Sequence, residues 1–180
     1  IRQLNLTENQ IYGLLSLTRD SQQPVVAGHI HEIMKMICEL LEPQFHHSES
    51  SLAIELPAEA MLNQMAVNDY GQIQAALLNL VQNALEASRP GGSVRVIVSI
   101  LESLIQVDVL DNGPGVADAV REKIFDPFVT GKPEGVGLGL TLAAQAAESN
   151  GGTLSYDRVE WWSRFRFQVR RLIPELPGEN

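Results

Sequence analysis

LIQVDVLDNGPGV, residues 104–116, is an alternating strand pattern that ends in a carboxylate, an amide and two glycines around a proline. Ile105, Val107 and Val109 share one strand face, and the period of two places Asp111 on that same inward face. A carboxylate on an apolar face needs a hydrogen-bond donor, because burial of an unpaired charge is costly. The amino group of a ligand would supply that donor. The alternative is an exposed strand end at which Asp111 merely begins a turn, and Asn-Gly by itself favours that alternative.

The patterns on both sides of this stretch predict a sheet covered by helices. SVRVIVSI (93–100) precedes it across a three-residue connection, so the two runs predict an antiparallel pair. Further strands are predicted at 52–56, 153–157 and 163–171, and helices at about 1–19, 26–41, 69–88, 117–124 and 137–149. Residues 125–139 are rich in Gly and Pro and predict a loop. Helix-rich sequence followed by strands and one late helix indicates a sheet with helices on one face.

Composition narrows the class of protein. The formal net charge of −9 argues against broad nucleic acid binding, but it is compatible with a small anion bound by backbone amides. No apolar run approaches the length of a membrane span. The single cysteine, Cys38, lies in an apolar helical run, which predicts a buried structural thiol. The chain begins at Ile1 without a signal-like segment, so we expect a fragment of a longer protein.

Two further segments carry polar groups in a regular arrangement. Asn79, Asn83 and Glu86 are spaced i, i+4, i+7 and share one helix face, which indicates either oxygen ligands for a hard cation or an ordinary polar face. In IFDPFVTGKPEGVGLGL (124–140), glycines precede and open a helix. Glycines let the backbone approach phosphate oxygens, and the free amides of a helix N-terminus favour anions. By itself, G-x-G-x-G is weak evidence for a phosphate site.

The ordered set NLVQNALEA (79–87), DNGPGV (111–116), FDPF (125–128) and GVGLGL (135–140) resembles the N, G1, F and G2 boxes of sensor histidine kinases. These boxes belong to their catalytic, ATP-binding domain, within the wider group of gyrase-type ATPases, mismatch-repair ATPases and heat-shock chaperones. The resemblance covers roughly residues 25–172. It implies the Bergerat ATP-binding fold, an α/β (α+β) two-layer sandwich. In that fold a mixed, mostly antiparallel sheet of about five strands lies under about three helices on one face.

The resemblance also implies roles for individual residues. Asp111 would accept a hydrogen bond from the adenine amino group, and Gly113 and Gly115 would let the base and sugar lie close to the chain. Asn83 would coordinate the Mg²⁺ that bridges the phosphates, with Asn79 in the same box. Phe125 and Phe128 would anchor the base of a mobile lid. The triphosphate would be lined by Thr130, Lys132, Gly135, Gly137, Leu138, Gly139 and Leu140, and Asn79 and Lys132 are the catalytic candidates.

One position favours kinase over ATPase chemistry. Gyrase-type ATPases carry a Glu one turn before the magnesium Asn as general base toward water, whereas this chain has Asn79, an amide that cannot take a proton at neutral pH. Transfer to a histidine needs no such base. His31 lacks the proline that follows the acceptor in the family, so we expect the acceptor histidine to lie upstream of Ile1.

The resulting hypothesis divides the chain into three parts. Residues 1–22 would end the dimerisation and phosphoacceptor helices, residues 23–174 would form the catalytic domain, and residues 175–180 a tail. Expected partners are ATP and ADP, the acceptor helices of a homodimer and a response regulator, in the cytoplasm, with neither nucleic acid nor direct membrane contact. Glu86 and Gly131 depart from the family pattern. They keep open a nucleotide-binding regulatory module without turnover, and a related ATPase or anti-sigma serine kinase is a further alternative.

Overall fold

A five-stranded sheet with helices on one face dominates the computed structural model, which describes residues 26–132 and 135–173. In chain order the elements are β1 (Gly28–His29), α1 (Ile30–His47), β2 (Ser51–Glu55), β3 (Ala66–Val67), α2 (Tyr70–Ala87), β4 (Ser93–Ile100), β5 (Leu104–Asp111), α3 (Gly139–Ser149), β6 (Thr153–Val159) and β7 (Trp162–Arg170). The predicted two-layer α/β sandwich is confirmed. The helix predicted at 1–19 and the tail at 175–180 lie outside the described residues.

The strands of the main sheet run in the order β2-β4-β5-β7-β6. β2 pairs parallel with β4, and the other pairs are antiparallel, so the expected mixed, mostly antiparallel sheet is confirmed. β5 lies at the centre between β4 and β7, with Asp111 directly opposite Val94 on one side and Ser163 on the other. The end of β5 is therefore surrounded by both of its neighbouring strands.

Alternating residues of the strands form the core against the helices. The inward residues that are at most 6% exposed are Val94, Val96, Val98, Ile105, Val107, Val109, Phe165, Phe167 and Val169. They pack against the apolar stripes of the three helices in one continuous cluster. Burial of such side chains is the main favourable term in folding, at about 1.5–3 kcal/mol for each large one.

The first described helix differs from its prediction of about 26–41. It begins at Ile30, because Gly28 and His29 pair with Val67 and Ala66 in a small two-stranded sheet. It continues through Pro43 to His47, because the buried stripe continues past the proline to Phe45. Cys38 on this helix is half-buried rather than fully buried. Burial raises the pKa of its thiol, with Glu42 and Glu39 adding to the rise, as suits an unreactive cysteine.

The other two helices have well-defined ends. The Asp69 carboxylate caps α2 by accepting a hydrogen bond from the Gln72 amide at 3.2 Å. At the end of α3, Gly151 N donates to Glu148 O at 3.0 Å and Gly152 N to Ala147 O at 2.9 Å, which is the Schellman pattern of a helix that ends in glycine. The helix predicted at 117–124 is instead a 3-10 turn at Asp118–Lys123. Within the described residues, no helix has both the length and the apolar character needed to cross a membrane.

Candidate functional site

Asp111 is a buried carboxylate at the end of the central strand, 2% exposed. Its Oδ1 accepts a hydrogen bond from the Gly113 amide at 2.9 Å. Burial raises the pKa of the Asp111 carboxyl, while the Gly113 N–H and the charge of Arg158 oppose the rise. The inward position predicted from the alternation is therefore correct, and the exposed-turn alternative is wrong.

Ser163 lies directly across from Asp111 on β7 and is 1% exposed. The nearby Ser163 hydroxyl lowers the pKa of the Asp111 carboxyl. Among the described residues, however, Ser163 Oγ has no partner within hydrogen-bond geometry, Asp111 included. Sequence reasoning missed this residue, because its position depends on the β5–β7 pairing. A buried hydroxyl without a partner beside a buried carboxylate is a polar pair suited to a ligand.

The chain after Asp111, residues 111–116, forms a turn that we call the Asp111 turn. The turn packs on the end of α2: a Cβ added at Gly113 would lie 2.4 Å from the Ala87 carbonyl oxygen. Gly115 has a φ of +78°, a left-handed conformation that favours glycine. The Asn112 side chain joins the turn to β4 by accepting a hydrogen bond from Ser93 N at 2.9 Å. The turn is thus fixed by contacts on two sides.

The polar face of α2 lies beside the start of α3. A Cβ added at Gly139 would be 3.8 Å from both Asn79 Cγ and Asn83 Nδ2. The first amides of a helix have no partner within the helix, and in α3 the earliest backbone bond runs from Leu142 N to Leu138 O at 2.9 Å. The structure therefore brings two amide side chains of α2 to the N-terminal end of α3, where free backbone amides favour an anion.

The described residues 125–132 and 135–138, between the 3-10 turn and α3, have no regular secondary structure, and we call this segment the lid loop. Phe125 packs against the core, as expected of an anchor, whereas Phe128 is 69% exposed with a φ of +66° and is not buried as an anchor. Phe128 N donates to Gly137 O at 3.0 Å, so the two ends of the loop are joined. Within it, the Thr130 hydroxyl accepts a hydrogen bond from Lys132 N at 3.0 Å.

Lys132 extends from the lid loop to the polar face of α2. Its ammonium donates to Asn83 Oδ1 at 2.9 Å and forms an ion pair with Glu86 Oε2. The side chains of Lys132 and Glu86 are both about half exposed, so this pair adds little stability. Its significance is geometric, because it places a cation against the side chain of Asn83, the residue that the family resemblance implies as the Mg²⁺ ligand.

The polar face fits a magnesium ion that is held largely by phosphates. Mg²⁺ in nucleotide sites commonly takes one or two protein oxygens and completes its shell with phosphates and water. Asn83 Oδ1 already accepts a hydrogen bond from a cationic group, so it is oriented toward positive charge. The described residues contain no cluster of three or more His, Cys, Asp or Glu side chains that could hold a metal alone.

Tyr156 and Arg158 on β6 are two further residues that sequence reasoning missed. The Tyr156 hydroxyl accepts a hydrogen bond from Val116 N at 3.0 Å, and Arg158 Nη1 donates to Pro114 O at 2.9 Å. The alternation of β6 indicates that both side chains share a face, but the sequence does not reveal which turn that face contacts. This requires the strand order, in which β6 is separated from β5 by β7.

Comparison with known proteins agrees with this geometry. The family model described as histidine kinase-, DNA gyrase B-, and HSP90-like ATPase matches residues 68–173. The C4-dicarboxylate transport sensor protein DctB of Rhizobium meliloti (strain 1021) is 33% identical over 142 residues, which are 78% of this chain and 22% of that protein. The catalytic domain of histidine kinase ThkA has a TM-score of 0.74 at 27% identity, covering 83% of this chain and 97% of that one. ThkA in complex with response regulator protein TrrA gives a TM-score of 0.76 at 22% identity over 95% of this chain and 49% of that one.

The chain belongs to the family of histidine kinase-, DNA gyrase B- and HSP90-like ATPases. Within that family, its architecture and its relatives are those of the ATP-binding catalytic domain of sensor histidine kinases. The chain spans only 22% of the length of DctB.

Proposed function

We propose that this domain binds Mg·ATP and presents the γ-phosphate to a histidine on a helical dimerisation domain. In this assignment residues 1–22 end that helical region, residues 23–174 form the catalytic domain and residues 175–180 a tail. The parent protein is a homodimeric sensor kinase whose catalytic domain lies in the cytoplasm and which passes the phosphoryl group to a response regulator. The buried Asp111 is the single observation that carries the proposal.

Asp111 is suited to recognise adenine. Its buried carboxylate has one oxygen engaged by Gly113 N, which leaves the other oxygen as acceptor for the exocyclic amino group of the base. Gly113 and Gly115 bring the backbone of the Asp111 turn close to the base and sugar. An uncompensated buried carboxylate costs folding free energy, and a donor from a ligand offsets that cost.

The phosphates and the metal would lie between α2, the lid loop and the start of α3. Asn83 Oδ1 would hold Mg²⁺, which supplies positive charge to the phosphate oxygens. The amides of Gly137, Leu138, Gly139 and Leu140 would bind phosphate oxygens at the helix N-terminus. Thr130 and Gly135 in the lid loop would border the triphosphate. The Lys132 ammonium would move from Asn83 to the γ-phosphate, because Mg²⁺ at Asn83 Oδ1 would repel a second positive charge at the same atom.

Catalysis would rest on positioning and on compensation of phosphate charge. Asn79 stands one turn before Asn83, where a water-activating ATPase needs a general base, and its amide accepts no proton at neutral pH. An imidazole acceptor is already a nucleophile and needs no such base. Slow ATP hydrolysis by the isolated domain is therefore the expected behaviour.

The first test is calorimetric titration of the 180-residue chain with ATP and with ADP, each with and without Mg²⁺. We expect binding that is stronger with Mg²⁺, that is lost in Asp111→Asn, and that is accompanied by negligible phosphate release over hours. The matched control is Asp108→Asn, a carboxylate on the same strand that faces the other side of the sheet and pairs with Arg166. Loss of binding in both variants would contradict a specific role for Asp111.

The alternative, a nucleotide-binding regulatory module without turnover, is favoured by one contact, that of Lys132 with Asn83 and Glu86. A lysine that stays on Asn83 would exclude the metal and prevent transfer. Addition of the separate dimerisation region of the parent protein distinguishes the two proposals. Phosphorylation of that region from γ-labelled ATP supports the kinase, and nucleotide binding without transfer supports the module.

A further inference from the structure

We propose that Arg158, together with Tyr156, is a positioning residue that fixes the Asp111 turn and thereby sets the preference of the site for adenine. The inference rests on the proposed function, because it concerns how the same pocket reads the base. Both residues lie on β6, which is not adjacent to β5 in the sheet. They reach the turn with their side chains alone.

The contacts fall on the two peptide units that flank Gly115. Arg158 Nη1 donates to the Pro114 carbonyl at 2.9 Å, just before the glycine. The Tyr156 hydroxyl accepts from the Val116 amide at 3.0 Å, just after it. The left-handed φ of +78° at Gly115 favours glycine, and glycine leaves the backbone more conformational freedom than any other residue would. One hydrogen bond on each side of Gly115 restricts that freedom.

The guanidinium also joins the turn to the β6–β7 hairpin. Arg158 Nη2 donates to the Trp161 carbonyl at 3.0 Å, so one planar group contacts two backbone segments. It packs directly on the glycine, since a Cβ added at Gly115 would lie 2.2 Å from Nη1 and 3.0 Å from the Tyr156 hydroxyl oxygen. The Tyr156 ring is itself fixed by Phe165, with ring centroids 5.0 Å apart. The turn thus rests on a preformed support.

The positive charge of Arg158 supports adenine binding by Asp111, as its hydrogen bond to the turn does. Its positive charge lowers the pKa of the Asp111 carboxyl, against the effect of burial. An ionised carboxylate only accepts hydrogen bonds, which matches the adenine amino group, whereas a protonated one also donates. Loss of Arg158 would therefore loosen the turn and weaken the acceptor, and both effects concern the base rather than the phosphates.

The test compares ATP with inosine triphosphate, which has a carbonyl in place of the amino group and the same phosphates. Affinities of the wild-type chain, Arg158→Met, Arg158→Lys and Tyr156→Phe are measured by calorimetry with Mg²⁺. Arg164→Met is the control, because Arg164 forms comparable hydrogen bonds, to Asp157, on the opposite face of the sheet. Circular dichroism establishes that each variant is folded.

We expect the ratio of ATP to inosine triphosphate affinity to fall about fivefold in Arg158→Met and in Tyr156→Phe, the effect of about one hydrogen bond. Arg158→Lys should recover part of the ratio, and Arg164→Met should retain all of it. An unchanged ratio, or equal weakening of both nucleotides, would overturn the positioning role while leaving the proposed function intact. A wild-type chain that binds neither nucleotide would instead overturn the proposed function, and this inference with it.

Discussion

Replacement of Gly113 by alanine tests whether the Asp111 turn is limited by space rather than by backbone conformation. Gly113 does not have a positive φ, so alanine is compatible with its backbone. The added Cβ, however, would lie 2.4 Å from the Ala87 carbonyl oxygen and 2.8 Å from Asp111 Oδ1, and contacts below 3.0 Å are essentially never observed. The turn and the end of α2 must therefore separate by several tenths of an ångström.

The magnitude follows from two costs. Overpacking of a well-packed contact costs about 1–3 kcal/mol. Separation also lengthens the hydrogen bond from Gly113 N to the Asp111 carboxylate, and a hydrogen bond to a charged group contributes about 1.5–3 kcal/mol. We expect Gly113→Ala to lower the free energy of unfolding by about 2–5 kcal/mol, a large part of the roughly 5–15 kcal/mol typical of a domain.

The assay is urea unfolding followed by circular dichroism, with Gly71→Ala as matched control. Gly71 lies in the first turn of α2, where an added Cβ meets nothing within 4 Å. Alanine there should raise the free energy of unfolding by about 0.5 kcal/mol through helix propensity. Neutral surface substitutions change the free energy of unfolding by less than about 0.5 kcal/mol. A change no larger than this in Gly113→Ala would refute the steric argument.

Three further predictions use the same unfolding measurement. Asp111→Asn should be more stable than the wild type at pH 7, because burial raises the pKa of the folded Asp111 carboxyl above its ordinary value of 3.8. The wild type therefore loses stability as the pH rises from the ordinary pKa to the folded one, by about 1.4 kcal/mol per pH unit between them. The two proteins should converge near pH ~3, below both pKa values, and a constant difference at all pH values would contradict this origin. Phe167→Ala should cost about 3–5 kcal/mol, because the ring is fully buried, and a smaller loss would mean that the core collapses around it. Glu86→Gln should change stability by less than about 0.5 kcal/mol, since its ion pair with Lys132 is exposed, and a larger loss would show that this contact supports the fold.

Elements with a regular pattern could be predicted from the sequence. The predicted bounds of β4 and β5 are those in the structure, and α2 differs by one residue at each end, because Asp69 and Ser88 are its caps. The first described helix was placed wrongly at both ends, for two physical reasons. Pairing with β3 overrode helix propensity at Gly28, and core packing of Phe45 outweighed the local cost of Pro43.

The residues of the site likewise divide into those that local periodicity predicts and those that depend on long-range contacts. The inward position of Asp111 and the shared face of Asn79 and Asn83 follow from periods of two and about 3.6 residues, which are local properties. The contacts of Arg158 and Ser163 depend on which strands are neighbours, and a single sequence does not contain that information. The ion pair of Lys132 with Glu86 joins residues 46 positions apart through an irregular loop, for which periodicity gives no guidance.

The closed base of the lid loop has a consequence for how such a domain can diversify. Phe128 and Gly137 are joined by a backbone hydrogen bond, and Gly137 packs so closely on Phe128 that an added Cβ would lie 2.7 Å from its carbonyl carbon. Closure of the loop at its base costs conformational entropy, and each doubling of the loop length between Phe128 and Gly137 raises that cost by only about 0.6 kcal/mol. Peptides inserted after Gly131, where an added side chain meets nothing within 4 Å, should leave the sheet and helices unchanged. This segment is therefore a natural insertion point for a reporter peptide, and a place where related chains can vary in length at little thermodynamic cost.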